Sequence, residues 1–518
     1  MNAAHALLAT LADAGIDTLL ANPGTSEMHL VAALDSVPQV RPVLGLFEGV
    51  VTGAADGYAR MRRRPAATLL HLGPGLANGL ANLHNARRAG TPLLNLVGDH
   101  ATAHVGLDAP LTADIEALAR PVSDWVGASP DAAGLPRAGA LALARARDGN
   151  GGVATLRVPA DHAWGDAEPV RHAPPSLSPV TADADALHAA VTALRDGGER
   201  TTLLLGGPAL DEAALAMAGR VVANTGCRLL LETFPPRLRR GAGVVMPRRL
   251  AYRVDAARAQ LDGTRHLLLL GAADPASLFA YPGQPGRMAP ADAVRIDLGG
   301  RDAAAHHALE TLVDALGCAR EPAGTAAALR PAPPPSGALT VDAVAASVAH
   351  LLPPEAIVVD EATTAGAALY KATAGAPAHD WLALTGGAIG QGLPLAVGAQ
   401  LAAPDRPVLC VHGDGGAMYT LQALWTLARE RLPVVVVIVS NRRYAILDME
   451  LDALGGDGYP RGRGLFDLSR PALDWVQLAK GHGVAAVRAD DADGFHAALA
   501  RALAAGEPAL IEAVTARG

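Results

Sequence analysis

The sequence predicts an α/β protein made of three doubly wound domains with parallel sheets, and three observations lead to this prediction. Short apolar segments alternate with helical segments along most of the chain, which is typical of parallel strands covered by helices on both faces. The 518 residues are enough for about three domains. Two Pro-rich stretches, 168–179 and 320–337, separate pieces of similar size. We therefore expect domains at 1–167, 180–320 and 338–518.

The apolar segments give the expected strands in chain order. In the first domain, helices at 2–15, 48–62 and 76–89 alternate with strands at Thr18–Leu20, Val43–Leu46, Ala67–His71 and Leu93–Val97. In the second domain, strands are expected at Thr202–Leu205, Arg228–Leu231, His266–Leu270 and Ala293–Asp297. In the third domain, strands are expected at Ile357–Val359, Pro407–His412 and Val434–Val439.

Composition excludes several classes of function. The net charge is -8 and no long basic run is present, so we expect no nucleic-acid partner. No apolar run reaches the roughly 20 residues that a membrane span needs, so we expect no membrane partner. Cys227, Cys318 and Cys410 are widely separated and show no metal-ligand spacing. We interpret them as reduced residues of a cytoplasmic protein.

The most informative stretch lies between two apolar strands of the third domain. The first strand leads to Asp414, which is surrounded by Gly413, Gly415 and Gly416, and a helix is expected to begin near Ala417. The free N–H groups of a helix start favour a diphosphate. The second strand leads to Asn441, whose amide oxygen, with the Asp414 carboxylate, suits Mg²⁺. The alternative is an ordinary strand-helix-strand unit with a glycine-rich turn.

This stretch resembles the thiamine diphosphate (ThDP) binding motif, which opens on Gly-Asp-Gly and closes on Asn-Asn. Here the closing pair is Ser440-Asn441. The three-domain layout is similar to that of the ThDP-dependent 2-oxo acid decarboxylase and acetohydroxyacid synthase superfamily. The resemblance implies ThDP and Mg²⁺ as cofactors, with Asp414, Asn441 and Arg443 at the metal. It also implies that the first domain binds the pyrimidine, the central domain is structural and the third binds the diphosphate.

A glutamate in the first domain completes the resemblance. Glu48 lies in an apolar segment and is followed by the run Ala54–Arg60, as in the family. The resemblance implies that Glu48 hydrogen-bonds the cofactor pyrimidine and so promotes formation of a C2 carbanion. In the family this carbanion attacks a 2-oxo acid, CO₂ leaves and an enamine remains. The alternative is a glutamate that only stabilises a helix start.

Further segments resemble the benzoylformate decarboxylase branch. They place Thr25 and His71 near the substrate, and His100 or His104, in the loop after a first-domain strand, is a second candidate for proton transfer. Each of these two could equally be a surface histidine. The remaining matches imply cofactor contacts, with core packing or turn formation as the alternative at each position. They are Asn78, Thr363, Thr364, Gly387, Ile389, Gly413, Asp414, Gly415, Gly416, Tyr419, Asn441, Arg443 and Tyr444.

The resemblance implies decarboxylation of a small-molecule 2-oxo acid, with two alternatives. The segment 278–283 lacks the second histidine of benzoylformate decarboxylases, and Tyr281 is its nearest polar candidate. A carboligase or lyase similar to acetolactate synthase, but without FAD, is one alternative. A catalytically silent ThDP-binding protein is the other. In the superfamily the glutamate of one chain faces the diphosphate motif of another, so we expect at least a homodimer and favour a homotetramer.

Overall fold

The computed structural model describes residues 1–147, 151–171, 182–280, 282–300, 304–319, 326–455 and 459–515. The chain forms two compact units, one comprising Met1–Ser176, Pro331–Thr373 and Ala383–Gly518, and the other comprising Leu177–Arg330 and Ala374–Leu382. The first predicted linker lies mostly outside the described residues, and so does the start of the second. The first unit contains both the N-terminal and the C-terminal α/β domains.

The N-terminal domain has a parallel sheet of six strands in the order β2-β1-β3-β4-β6-β5. The strands are β1 (Thr18–Asn22), β2 (Arg41–Leu44), β3 (Ala66–Leu70), β4 (Leu93–Asp99), β5 (Trp125–Ala128) and β6 (Val153–Pro159). The helices are α1 (Ala3–Asp13), α2 (Met28–Ala33), α3 (Glu48–Arg62), α4 (Leu72–Ala89), α5 (Thr102–Val105), α6 (Ile115–Ala119), α7 (Leu135–Arg147) and α8 (Ala160–Trp164). The sequence predicted the first four strands, and β5 and β6 were missed.

The central domain lies in the second unit. Its parallel sheet has the order β10-β8-β7-β11-β12. The elements are α9 (Ala184–Gly197), β7 (Thr201–Leu205), α10 (Glu212–Thr225), β8 (Arg228–Leu231), β9 (Leu238–Arg240), β10 (Arg248–Arg249), α11 (Val254–Leu261), β11 (His266–Leu270), β12 (Val294–Asp297) and α12 (Ala304–Leu316). All four predicted strands are present.

The C-terminal domain has five parallel strands in the order β17-β18-β16-β15-β13. Its elements are α13 (Val341–Leu351), β13 (Ile357–Glu361), α14 (Gly366–Ala372), β14 (His379–Ala383), α15 (Gly392–Ala402), β15 (Val408–Gly413), α16 (Asp414–Ala417), α17 (Ala423–Glu430), β16 (Val434–Ser440), α18 (Ala445–Asp452), α19 (Pro460–Arg463), α20 (Trp475–Gly481), β17 (Ala485–Ala489), α21 (Ala492–Ala505) and β18 (Ala509–Val514). Strand β14 pairs antiparallel with β9. The prediction of three parallel-sheet α/β domains is confirmed.

The predicted helix start near Ala417 is wrong. A short helix, α16, already begins at Asp414, and α17 begins at Ala423 after a turn. Gly413 is the residue before α16, so the strand passes directly into the helix. The reason lies in the glycines, because Gly415 and Gly416 can enter a helical turn that they were expected to precede. The amide groups of the turn therefore belong to α16.

Two helices bring the N-terminal and C-terminal domains into direct contact. A Cβ atom at Gly57 of α3 would lie 2.1 Å from the Leu395 carbonyl oxygen of α15. A Cβ atom at Gly398 of α15 would lie 1.8 Å from the Ala54 carbonyl oxygen of α3. Side chains at these positions would separate the two backbones, so glycine permits the close packing. Within the described residues, no helix combines the length and apolar character needed to cross a bilayer.

Candidate active site

A cavity of about 70 Å³ lies at the carboxyl ends of β13, β15 and β16. In parallel α/β sheets, ligands bind at this edge. Most of the lining residues come from the ends of these three strands and the segments that follow them, and the others are Ile389 in the loop before α15 and Val341 at the start of α13. They are Val341, Glu361, Ala362, Thr363, Thr364, Ala365, Ile389, Gly413, Asp414, Gly415, Gly416, Val439, Asn441, Arg443, Tyr444, Ala445 and Ile446. Most of the predicted cofactor residues of the C-terminal domain therefore surround one cavity.

Asp414 is a buried carboxylate held in a fixed orientation, since it is only 2% exposed. Its Oδ1 accepts the Gly415 N–H at 2.9 Å, and its Oδ2 accepts the Arg442 N–H at 2.7 Å. Burial raises the pKa of the Asp414 carboxyl, and these N–H donors act in the opposite direction. A buried carboxylate is suited to binding a cation, which would offset the cost of its burial.

The residues that follow β16 supply further oxygen atoms at the same cavity. The Oδ1 atom of Asn441 accepts the Arg443 N–H at 3.0 Å, which orients the side-chain amide. The guanidinium group of Arg443 pairs with Asp448, so only the backbone carbonyl of Arg443 is suited to a metal. Among the described residues, no cluster of three or more His, Cys, Asp or Glu side chains could hold a metal ion. A mixed set of carboxylate, amide and carbonyl oxygens is nevertheless the type that Mg²⁺ takes, together with phosphate oxygens and water.

The cavity also fits a diphosphate. Thr363 has a left-handed φ of 48° and lies with Thr364 in the turn after β13, where their hydroxyl groups line the cavity. A Cβ atom at Gly415 would lie 2.3 Å from the Tyr444 ring, so glycine keeps this wall of the cavity compact. Strained backbone is commonly found at ligand sites. The carboxylate, amide and hydroxyl residues that line the cavity fit the diphosphate and metal of ThDP.

The other predicted cofactor residues lie around this cavity with less direct roles. Gly387 adopts a φ of 79° in the loop before Ile389, which itself lines the cavity. Tyr444 lines the cavity, and burial raises the pKa of its hydroxyl, with further contributions from Tyr419 and Asp414. Tyr419 is 55% exposed and is not among the lining residues. We infer that Tyr419 contributes to the cavity through its contact with Tyr444.

Glu48 and His71, the two main catalytic candidates of the N-terminal domain, flank a single glycine. A Cβ atom at Gly75 would lie 3.0 Å from Glu48 Oε1 and 3.3 Å from His71 Cβ. Glu48 is the first residue of α3 and is 6% exposed. Its Oε2 accepts a hydrogen bond of 2.9 Å from the side-chain amide of Asn78. Glu48, His71 and Asn78 thus lie close together, as expected for residues of one site.

A second glutamate, Glu27, orients His71 and was not identified from the sequence. Its Oε2 lies 2.8 Å from His71 Nδ1 and also accepts the Gly24 N–H at 2.8 Å. Glu27 is 1% exposed, so this is a buried carboxylate facing an imidazole. A carboxylate in this position fixes the orientation of the His71 ring. The capping pattern of a glutamate three residues after Gly24 was the available signal.

The remaining catalytic candidates, Thr25 and His100, lie close in sequence to glycines that pack against this pair. A Cβ atom at Gly24 would lie 2.1 Å from His71 Nδ1, and one at Gly98 would lie 1.7 Å from Glu27 Oε1. Thr25 follows Gly24, is exposed and begins a short 3-10 helix. His100 follows β4, and its ring centroid lies 5.3 Å from that of His104. Within the described part of the chain, His100 Nε2 is buried without a hydrogen-bond partner. Tyr281 lies outside the described residues.

The two groups of predicted residues do not merge into one cavity within a single chain. Glu48, His71 and Asn78 are not among the described residues that line the cavity around Asp414. The loop 384–391, which contributes Ile389 to the cavity, is nevertheless bonded to the N-terminal domain. Asn85 bonds Ala388, and His84 bonds Gly386. The two parts of the predicted site are thus linked by hydrogen bonds but remain separate.

Comparison with known proteins gives a consistent result. The N-terminal TPP binding domain of thiamine pyrophosphate enzymes matches residues 1–118, and the C-terminal TPP binding domain of the same enzymes matches residues 362–513. A Mycobacterium tuberculosis protein, provisionally named an acetolactate synthase large subunit, is 50% identical over 516 residues, which cover 99% of each chain. Benzoylformate decarboxylase from Pseudomonas aeruginosa is 32% identical over 97% of this chain and 96% of its own. The structure of a ThDP-dependent 4-hydroxybenzoylformate decarboxylase from Rhodococcus jostii RHA1 superposes with a TM-score of 0.86 at 26% identity and covers 100% of both chains.

Proposed function

Since the chain belongs to the thiamine pyrophosphate enzyme family, we propose that it uses ThDP and Mg²⁺ to decarboxylate a 2-oxo acid. The observation that carries the proposal is the cavity at the strand ends, where the buried Asp414 carboxylate, the Asn441 amide and the Thr363 hydroxyl converge. The His71–Glu27 pair in the N-terminal domain supports the catalytic part of the proposal.

The C-terminal domain would hold the cofactor through its diphosphate. Asp414, Asn441 and the Arg443 carbonyl would bind Mg²⁺, and the hydroxyl groups of Thr363 and Thr364 would bind diphosphate oxygens. Ile389 would pack against the apolar part of the cofactor. When bound, ThDP supplies a nucleophilic carbon and an electron sink for the electron pair released when the bond to CO₂ breaks.

The N-terminal domain would supply hydrogen bonding and proton transfer. Glu48 would hydrogen-bond the cofactor pyrimidine, and Asn78 holds its carboxyl group in place. Conversion of a 2-oxo acid anion into an aldehyde and CO₂ takes up one proton. His71 is the proposed donor, because its imidazole can carry a proton near neutral pH and Glu27 holds its ring in one orientation. Thr25 and His100 would contact the substrate beside it.

The proposed site is shared between two chains. Glu48 and the cavity around Asp414 are separate within one chain, so the partner subunit's Glu48 would face the cavity of the first chain. A homodimer is then the smallest active form, and we propose that two dimers associate as a homotetramer. The proposal requires that neither half of the site functions alone.

A carboligase without FAD is the second candidate function. The 50% identity to a protein named after acetolactate synthase favours it. The missing histidine in segment 278–283 also favours it, because slow protonation would leave time for an acceptor to react. A catalytically silent ThDP-binding protein is the third candidate, and the presence of Glu48, Asp414 and Asn441 argues against it.

A panel of 2-oxo acids tests the reaction. Purified protein with ThDP and Mg²⁺ should release CO₂ and form an aldehyde from at least one member, with aromatic acids such as benzoylformate tested first. A 2-hydroxy ketone or acetohydroxy acid as the product would favour the carboligase. Glu48→Gln should lower CO₂ release by at least about 100-fold, as expected on removal of an acid-base group. Unchanged turnover in that variant would contradict the role of Glu48.

Mixing two inactive variants tests whether the site is shared. In a mixed dimer of Glu48→Gln and Asp414→Asn chains, one of the two sites would contain both changes and the other neither. Random mixing should therefore restore roughly one quarter of wild-type turnover, because half of the dimers are mixed and each has one intact site. If each site lay within one chain, mixing would restore no turnover.

A further inference from the structure

We propose that Glu361 and Asn85 are positioning residues that hold Ile389 against the cofactor cavity from opposite sides. The inference rests on the proposed ThDP site and assigns a role to two residues that do not belong to the binding motif. Ile389 lies in the loop 384–391, between β14 and α15. The peptide groups on both sides of Ile389 are bonded by buried side chains.

Glu361 binds the loop from the C-terminal domain. It is the last residue of β13 and is 3% exposed. Its Oε1 accepts the Gly390 N–H and its Oε2 accepts the Gly392 N–H, each at 2.5 Å. Both carboxylate oxygens are therefore used to hold backbone groups that directly follow Ile389. Charge-assisted hydrogen bonds of this kind are about twice as strong as neutral ones.

Neighbouring side chains pack closely around the Glu361 carboxylate and the loop that it bonds. His412 Nε2 lies 3.3 Å from Glu361 Oε2, and both side chains are almost completely buried. A Cβ atom at Gly392 would lie 2.7 Å from the His412 ring, and one at Gly416 would lie 3.2 Å from Glu361 Oε1. The Gly390 carbonyl, which belongs to the next peptide group, accepts a hydrogen bond of 2.7 Å from the Thr420 hydroxyl. The backbone that follows Ile389 is thus fixed at both its donor and its acceptor.

Asn85 binds the loop from the N-terminal domain. It lies in α4 and is fully buried. Its Nδ2 donates to the Ala388 carbonyl at 2.8 Å, and its Oδ1 accepts the Ala388 N–H at 3.2 Å. This reciprocal pair needs a side chain that both donates and accepts at adjacent atoms, which a primary amide provides. Asn82 Oδ1 accepts the second hydrogen of the same Nδ2 and fixes its orientation.

The side chain of Ile389 is therefore held between two rigid contacts, one from each domain. Ala388 before it is bonded to Asn85, and Gly390 after it is bonded to Glu361. Precise placement of a ligand-contacting residue requires such support from its neighbours. Asn85 is not among the residues that line the cavity, whereas Glu361 lines it and also acts on the backbone of the loop through both carboxylate oxygens.

Two conservative variants test the proposal. In Glu361→Gln, one carboxylate oxygen becomes an amide that opposes a backbone N–H. In Asn85→Asp, the donor to the Ala388 carbonyl is lost. Each should raise the dissociation constant for ThDP at saturating Mg²⁺ by about tenfold or more, as expected for the loss of one charge-assisted or reciprocal contact. The matched control is Glu232→Gln, because Glu232 also accepts a glycine N–H, from Gly207 at 2.9 Å, but lies in the other unit. The control should bind ThDP as the wild type does.

A double-mutant cycle separates positioning from general destabilisation. If Glu361 acts through Ile389, the variant Glu361→Gln combined with Ile389→Ala should bind ThDP no more weakly than Ile389→Ala alone. Fully additive effects would overturn the proposal, as would unchanged ThDP binding in both single variants. Loss of the folded state in both would also overturn it, because the residues would then serve the fold itself. A wild-type protein that does not bind ThDP would instead refute the proposed function.

Discussion

Replacement of Arg60 by methionine should strongly destabilise the first unit. Arg60 and Asp56 form a buried ion pair on α3, with side-chain exposures of 2% and 0%. The guanidinium group donates to both oxygens of Asp56, at 2.8 and 2.6 Å. It also donates to the Ala383 carbonyl and to the Thr385 hydroxyl, each at 2.9 Å, at the start of the loop that holds Ile389. The substitution removes all of these contacts at once.

The expected loss in the free energy of unfolding follows from the carboxylate that remains buried. Asp56 would retain hydrogen bonds from Thr91 and Gln391, each at 2.6 Å, but would have lost the cation that neutralises it. Breaking a buried ion pair by removing one partner typically costs about 3–5 kcal/mol. Replacing both members, as in Asp56→Leu combined with Arg60→Met, should cost less than Arg60→Met alone, because no unpaired charge is then buried.

Urea unfolding followed by far-ultraviolet circular dichroism measures this change, and hydrogen exchange of the α3 and α15 amides assigns it to the first unit. Arg120→Met is the matched control, since Arg120 pairs with Glu116 at the same helical spacing but at the surface, with exposures of 71% and 40%. The control should change the free energy of unfolding by about 0–1 kcal/mol. A loss below about 1 kcal/mol for Arg60→Met would refute the reasoning.

Three further predictions concern pH, proton transfer and packing. Burial lowers the pKa of His379 to about 4, so its neutral form stabilises the fold above pH 6.5 and about 3 kcal/mol is lost as the pH falls from 6.5 towards 4. In His379→Gln, the midpoint of thermal unfolding should therefore vary less with pH across this range. An unchanged pH dependence would contradict the lowered pKa of His379. Glu27→Gln should lower kcat by about 100-fold in the CO₂ assay without weakening ThDP binding, because His71 loses the carboxylate that orients its ring for proton transfer; equal loss of cofactor binding would indicate a structural role instead. Gly398→Ala should lower the free energy of unfolding in urea by about 1–3 kcal/mol, because its Cβ would overlap the Ala54 carbonyl. An unchanged urea midpoint would show that α3 and α15 can move apart at little cost.

The fold could be predicted, and candidate site residues could be proposed, because their signals are local. The spacing of the apolar segments predicted the alternation of strands and helices. Glu48 was correctly expected to begin a helix. The glycines around Asp414 likewise mark a backbone that approaches a ligand, and the structure gathers them at one cavity. In each case neighbouring residues carry the information, because side-chain periodicity and turn chemistry act over a few positions.

The supporting contacts could not be predicted because they join distant parts of the chain. Glu27 and His71 are separated by 44 positions, and Asn85 and Ala388 by 303. A single sequence contains no signal for such pairs, since any buried glutamate or asparagine satisfies the local pattern equally well. The start of α16 at Asp414 was missed for a different reason, because glycine permits both a turn and a helix and tertiary packing decides between them.

The contact between α3 and α15 also bears on how the protein is synthesised. Asp56 and Gln391, which bond across it, are 335 positions apart. At about 5–20 residues per second, α3 leaves the ribosome roughly 20 to 70 s before its partner helix exists. During that interval the small-residue face around Gly57 has nothing to cover it, and the whole of the second unit is produced in between. The N-terminal domain therefore cannot bury this face until about two thirds of the chain has followed it out of the ribosome.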